Sequence, residues 1–220
     1  MYRMCTTTGK RTKRKSRLDT IMKKSIIFDL GNVVLNFDPL GYLRTKFADE
    51  ETIGRVYDAV FRSREWIMLD EGVITEEEAL QAFCRRHPAV SMGIKAAMDN
   101  WYGLLEPVAS TVEYIRELKD NGFNAYYLSN FHKAASEYVL ANHDFFNLFD
   151  GGIFSFEERL IKPDIRIYRK MLEKYDLRPE DCLFIDDVGE NVDGAEKAGI
   201  KSVLFLPGCD LKTIIKWDSL

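Results

Sequence analysis

The chain is poor in the features that mark membrane-spanning, disulfide-stapled or nucleic-acid-coating proteins. No apolar run approaches the roughly 20 residues needed to cross a bilayer, so no spanning helix is expected. There are only four cysteines, Cys5, Cys84, Cys182 and Cys209, scattered with no CxxC or paired spacing. They read as reduced thiols, which points to a reducing, cytoplasmic compartment. Positive charge is not in excess, since 31 Lys and Arg face 35 Asp and Glu. A whole-domain nucleic-acid binder is therefore not expected. Internal repeats are absent, and so is low-complexity sequence beyond the first residues.

What is present suits a soluble globular domain. In 220 residues, 46% are hydrophobic and 30% charged, enough for one well-cored domain with room for an insertion. The positive charge is crowded at the start: Arg3, Lys10, Arg11, Lys13, Arg14, Lys15, Arg17, Lys23 and Lys24 are opposed only by Asp19. Such a block can be a localisation or nucleic-acid patch, or a transit peptide. Residues 1–21 are read instead as a disordered basic tail, with Met22 a natural beginning directly before the first strand.

The organising stretch is Ser25-Ile26-Ile27-Phe28-Asp29-Leu30-Gly31-Asn32-Val33-Val34. A β-favouring apolar run stops on a carboxylate, and Gly31 then frees the backbone to turn. From Leu40 to about Glu106 the pattern becomes helical. Leu43, Phe47, Ile53, Val56, Val60 and Phe61 recur at helix-like spacing, and Thr75-Glu76-Glu77-Glu78 is a capping box. Met92 to Leu105 reads as a further helix. Trp66, Trp101 and Tyr102 are expected mostly in the core, with one or two lining a pocket. Beyond Pro107, helix and strand alternate, with strands over Phe123–Leu128, Gly151–Phe156, Cys182–Ile185 and Ser202–Leu206. Helices lie between, including Val192–Ala198. This order predicts an α/β fold with a doubly wound parallel sheet and an inserted helical bundle. The expected boundaries are 22–38 with 107–220 for the α/β core and 39–106 for the bundle.

Polar residues follow the strands: Asp29, then Ser129 and Asn130, then Asp186 and Asp187. In a parallel sheet these fall on one rim, where ligands bind, and Lys162 at a loop-to-helix junction can reach the same place. Three gathered carboxylates repel unless a cation sits among them, and oxygen ligands suit a hard divalent ion such as Mg²⁺. A hydroxyl, backbone N–H groups and a lysine around that ion would cradle a phosphoryl group, which a carboxylate can attack.

This constellation resembles the haloacid dehalogenase-like (HAD) hydrolases, from Met22 onward. Asp29-Leu30-Gly31-Asn32-Val33 resembles the family's first motif, Leu128-Ser129-Asn130 its second and Lys162-Pro163-Asp164 its third. Phe184-Ile185-Asp186-Asp187-Val188-Gly189-Glu190-Asn191 resembles the fourth. The resemblance implies a Rossmann-like core with a small helical cap, and a Mg²⁺-dependent phosphatase acting on a small phosphorylated metabolite. It makes Asp29 the nucleophile. Ser129 and the Asn130 backbone hold phosphate, and Lys162 neutralises charge. Asp29, the Gly31 carbonyl and Asp187 would ligate the metal, with Asp186 supporting from behind or through a water.

One position departs from the family. Its second Asp, which serves as acid and base, is here Gly31. Three consequences follow. Asp38 or Asn32 could substitute; the leaving group could be good, as in a hexose 1-phosphate; or the protein could bind without catalysis. The Asp-Leu-Gly-Asn-Val form resembles sugar 1-phosphate phosphatases and favours the second. A metal-free haloacid dehalogenase is a further alternative, although it leaves the Asp186-Asp187 pair without a purpose.

Overall fold

The computed structural model describes residues 24–206 and 208–215. The basic tail lies outside the described residues. Strand β1 (Ser25–Phe28) is followed by five helices: α1 (Pro39–Lys46), α2 (Glu50–Val60), α3 (Arg64–Asp70), α4 (Glu76–Arg86) and α5 (Ser91–Met98). The order then runs α6 (Ala109–Asp120), β2 (Asn124–Ser129), α7 (Lys133–Asn142), β3 (Gly151–Phe154) and α8 (Ser155–Glu158). Next come α9 (Ile165–Lys174), β4 (Cys182–Asp186), α10 (Gly189–Lys197), β5 (Lys201–Leu204) and α11 (Leu211–Ile214). The sheet has five parallel strands in the order β3-β2-β1-β4-β5, so β1 is central and buried on both faces. This is the expected doubly wound α/β arrangement.

The period of two along each strand sorts its side chains between two layers. Ile26 and Phe28 join Ala125, Ile185, Tyr114, Ile115 and Val139 on the face covered by α6 and α7. Ile27 points the other way, with Leu128, Phe184, Ile167, Tyr168 and Met171, against α9 and α10. The inserted helices share the first of these cores through Leu43, Val56, Trp66, Phe83 and Trp101. The capping box of α4 is formed, with the Thr75 hydroxyl accepting from Glu78 N and the Glu78 carboxylate accepting from Thr75 N.

Several expected elements have different limits, among them the Ser202–Leu206 strand, which runs over Lys201–Leu204. The Gly151–Phe156 strand ends at Phe154, because Ser155 turns the chain into α8 and its hydroxyl accepts from Phe131 N. The helix expected from Val192 starts at Gly189, next to the loop that carries Asp187. The stretch from Met92 to Leu105 is two helices, because Asn100 adopts a left-handed conformation (φ 53°) between α5 and a 3₁₀ turn over Trp101–Leu104.

The chain enters and leaves the helical insertion side by side. Asn36 N donates to Glu106 O and Val108 N to Val34 O, both at 2.8 Å, beside an antiparallel bridge between Leu35 and Pro107.

Candidate active site

Asp29 leaves the carboxyl end of β1 with its N–H donated to Ile185 O of β4. The chain then folds back in a tight loop, in which Val34 N and Leu35 N both donate to Leu30 O and Asn32 takes φ 55°. Asn32 is thereby committed to structure. Its amide donates to Asp187 Oδ2 at 2.9 Å, and its carbonyl oxygen accepts from Phe37 N. Asp38 is exposed and caps α1 by accepting from Gly41 N. Neither suits the role of replacement acid considered for it.

Lys162 is buried between two carboxylates, with Nζ 2.7 Å from Asp29 Oδ1 and 2.6 Å from Asp186 Oδ2. Burial alone would lower its pKa, but Asp29 and Asp186 outweigh burial and hold it above the ordinary lysine value. The Asn130 side chain fixes its backbone: Asn130 Nδ2 donates to Lys162 O at 3.0 Å and Lys162 N donates to Asn130 Oδ1 at 2.8 Å. This side-chain function of Asn130 adds to the backbone one expected from sequence. Asp186 is fully buried and saturated, accepting from Lys162, Val188 N and the Asn191 amide. Asp187 keeps a face toward the cavity. Asn191, which clamps Asp186 from the first turn of α10, was legible only as part of a motif and not by its bond.

Asp29, Asp186 and Asp187 each present an oxygen within 4.8 Å of the others. Burial raises Asp29, Lys162 pulls it back and Asp186 pushes it up again, leaving it at about 7. Burial is also the main reason that Asp187 is raised, with Asn32 opposing and Asp186 adding. Asp29 Oδ1 is enclosed with no aligned hydrogen bond, although Lys162 lies at ion-pair distance. One lysine thus faces three clustered carboxylates. An all-oxygen donor set carrying this uncompensated charge fits a hard divalent cation. Gly31 leaves the approach open, since a Cβ there would meet nothing nearer than Asp29 Oδ2 at 3.9 Å.

These groups line one cavity of about 210 Å³. Asp29, Ser129, Asn130, Lys162 and Asp187 line it at the sheet's rim, and Phe37, Trp66, Trp101 and Leu105 add an apolar wall. Asp193, by contrast, is exposed on α10 and takes no part. His132 and Asp70 also line the cavity, although neither carries a signal in the sequence. His132 Nδ1 lies 3.5 Å from Asp70 Oδ1 and its Nε2 lies 3.3 Å from Glu76 Oε1, ion-pair distances without the alignment of hydrogen bonds. Burial opposes the imidazolium, but Asp70 and Glu76 overcome it and raise the His132 pKa.

A model of the haloacid dehalogenase-like hydrolases matches residues 23–199. The chain belongs to that family. A sesquiterpene phosphatase of Aspergillus oryzae is 27% identical over 177 residues, spanning 80% of this chain and 87% of that protein. A drimenol cyclase of Aspergillus calidoustus is 28% identical over 187 residues, which is 84% of this chain but only 34% of the cyclase. Among solved structures, a HAD family enzyme of Bacteroides thetaiotaomicron, in complex with magnesium and inorganic phosphate, superposes with a TM-score of 0.69. It is 21% identical, with 88% of this chain and 100% of that one covered. The L-2-haloacid dehalogenase of Xanthobacter autotrophicus gives a TM-score of 0.61 at 21% identity, over 83% of this chain and 77% of that one. At these identities the structural likenesses establish the fold. Among the described residues no helix is long and apolar enough to cross a membrane.

Proposed function

We propose that this HAD hydrolase is a Mg²⁺-dependent phosphatase that transfers the phosphoryl group of a small phosphorylated metabolite to Asp29 and then to water. The observation that carries the reading is the join of Asp29, Lys162 and the Asp186-Asp187 turn at one cavity. Asp29 supplies the attacking oxygen. Ser129 and the Asn130 N–H orient the phosphate, and Lys162 balances negative charge on nucleophile and phosphoryl oxygens. Asp29, the Gly31 carbonyl and Asp187 would hold the ion, with Asp186 supporting from below. When bound, a divalent ion neutralises these carboxylates and polarises a phosphoryl oxygen. The insertion serves as a cap that closes the cavity and excludes water.

Gly31 favours substrates whose leaving oxygen needs little protonation, such as a hexose 1-phosphate. The cap-side wall favours a second substrate class: Phe37, Trp66, Trp101 and Leu105 offer an apolar surface, and Trp101 Nε1 already faces Glu76 at 3.3 Å. An ester of an apolar alcohol would suit that wall, in keeping with the sesquiterpene phosphatase among the relatives. A metal-free dehalogenase would leave the Asp187 carboxylate without a function, and a purely binding protein would leave Asp29 beside Lys162 without one.

Phosphate release should be measured over sugar 1-phosphates, their 6-phosphate isomers, prenyl monophosphates and p-nitrophenyl phosphate, with Mg²⁺ and with EDTA. Mg²⁺-dependent release that disappears in Asp29→Asn is the expected result. Failure to release phosphate from any member of the panel would refute it.

A further inference from the structure

A good leaving group relieves only the first half of such a reaction. Whatever alcohol departs, the phosphorylated carboxylate must still be attacked by water, and water needs a base to take its proton. Gly31 has no side chain to serve, and Asn32 and Asp38 are held in structural bonds. Among the described residues lining the cavity, Asp70 is the one carboxylate outside the Asp29-Asp186-Asp187 cluster.

Its setting fits the task. Asp70 ends α3, and its backbone carbonyl is anchored by the Ser155 hydroxyl of the α/β core. One carboxylate oxygen lies 3.5 Å from His132 Nδ1, and neither oxygen accepts a hydrogen bond from a described residue. The side chain keeps 16% of its surface exposed, whereas the His132 side chain keeps 3%. The ring of His132 is fixed edge-on against Trp66 and Trp101, each at 5.1 Å. Its second nitrogen faces Glu76, which also accepts from the Tyr102 hydroxyl. His132 therefore cannot turn to reach substrate; its ring holds Asp70 in place from behind.

We propose that Asp70 is the catalytic base for hydrolysis of the phosphorylated Asp29, with His132 its positioning residue. This rests on the phosphatase reading above. In the first step an Asp29 oxygen bonds to phosphorus, the ester P–O bond breaks and its electron pair leaves on the alcohol oxygen, which takes a proton from solvent. In the second, the water oxygen bonds to phosphorus while Asp70 takes its proton. The Asp29–phosphorus bond breaks, its electron pair returns to the Asp29 carboxylate, and Asp70 passes the proton to solvent.

The test is rapid mixing of the full chain and Mg²⁺ with p-nitrophenyl phosphate. In Asp70→Asn, a burst of p-nitrophenolate approaching one per active site should precede a steady state slowed by roughly 10²–10⁴-fold. Acid quenching should trap phosphate on Asp29, located by peptide mass. His132→Gln should show the same burst with a smaller steady-state loss. Adding Gly31→Asp to Asp70→Asn should restore turnover and remove the burst, because the open space at Gly31 admits a carboxylate. Equal loss of burst and steady state in Asp70→Asn, with no recovery on adding Gly31→Asp, would show a structural role and overturn the proposal, as would wild-type turnover. If the wild-type chain itself releases no p-nitrophenolate or phosphate, the phosphatase reading falls first and takes this assignment with it.

Discussion

Lys162 shows what a single side chain contributes to this site. Its ammonium is buried, and two carboxylates at 2.6 and 2.7 Å depend on it for neutralisation. Removing one partner of a buried ion cluster leaves uncompensated charge and costs about 3–5 kcal/mol. Lys162→Met should therefore lower stability by about that amount in urea unfolding and abolish phosphate release. Asp29 and Lys162 were legible because each stands at a junction whose backbone is written locally: an apolar strand ending in a carboxylate, and a lysine before Pro163-Asp164. Asp70 and His132 were not. Each alone reads as an ordinary helix-terminal residue, and they meet only because the insertion folds down onto α7.

At the scale of elements, the turn carrying Lys162 is braced by α10. A Cβ on Gly194 would stand 2.8 Å from Pro163 O and 2.9 Å from the Tyr168 ring. Gly194→Ala should thus push α10 away from the Lys162 turn, lowering both melting temperature and activity. Gly54→Ala is the matched control. Its Cβ meets nothing within 4 Å in the middle of α2, so it should stabilise by about 0.5–1 kcal/mol. The strands and their parallel arrangement were readable because apolar runs and helix stop signals are local. The end of β3 was not, since Ser155 leaves the sheet for partners elsewhere, Phe131 N and Asp70 O. The break at Asn100 was hidden for a related reason: the apolar pattern continues through it, while the backbone reverses its φ.

Taken whole, the molecule is two packed layers of helices around a sheet, with a helical block held over the sheet's carboxyl rim. His132 joins the block to the core through Asp70 and Glu76. Its folded pKa is raised above the ordinary value of 6.5. The imidazolium's contribution is therefore complete below about pH 6.5 and is lost as pH rises through the higher folded value. Melting temperatures of wild type and His132→Gln should differ most in acid and converge as pH increases past that value. A gap that is constant with pH would mean that the ring contributes by packing alone.

The paired hydrogen bonds at Asn36–Glu106 and Val34–Val108 carry a mechanical consequence. Two crossings that lie side by side would act as one pivot for the helical block once its contacts through Trp66, Ser155 and His132 were released. Swinging it open would carry Trp66, Asp70 and Trp101 outward while Asp29, Lys162 and Asp187 stay seated on the sheet. In the proposed reaction, product would then depart across a rigid sill, with Asp29 and its surroundings ready for the next substrate.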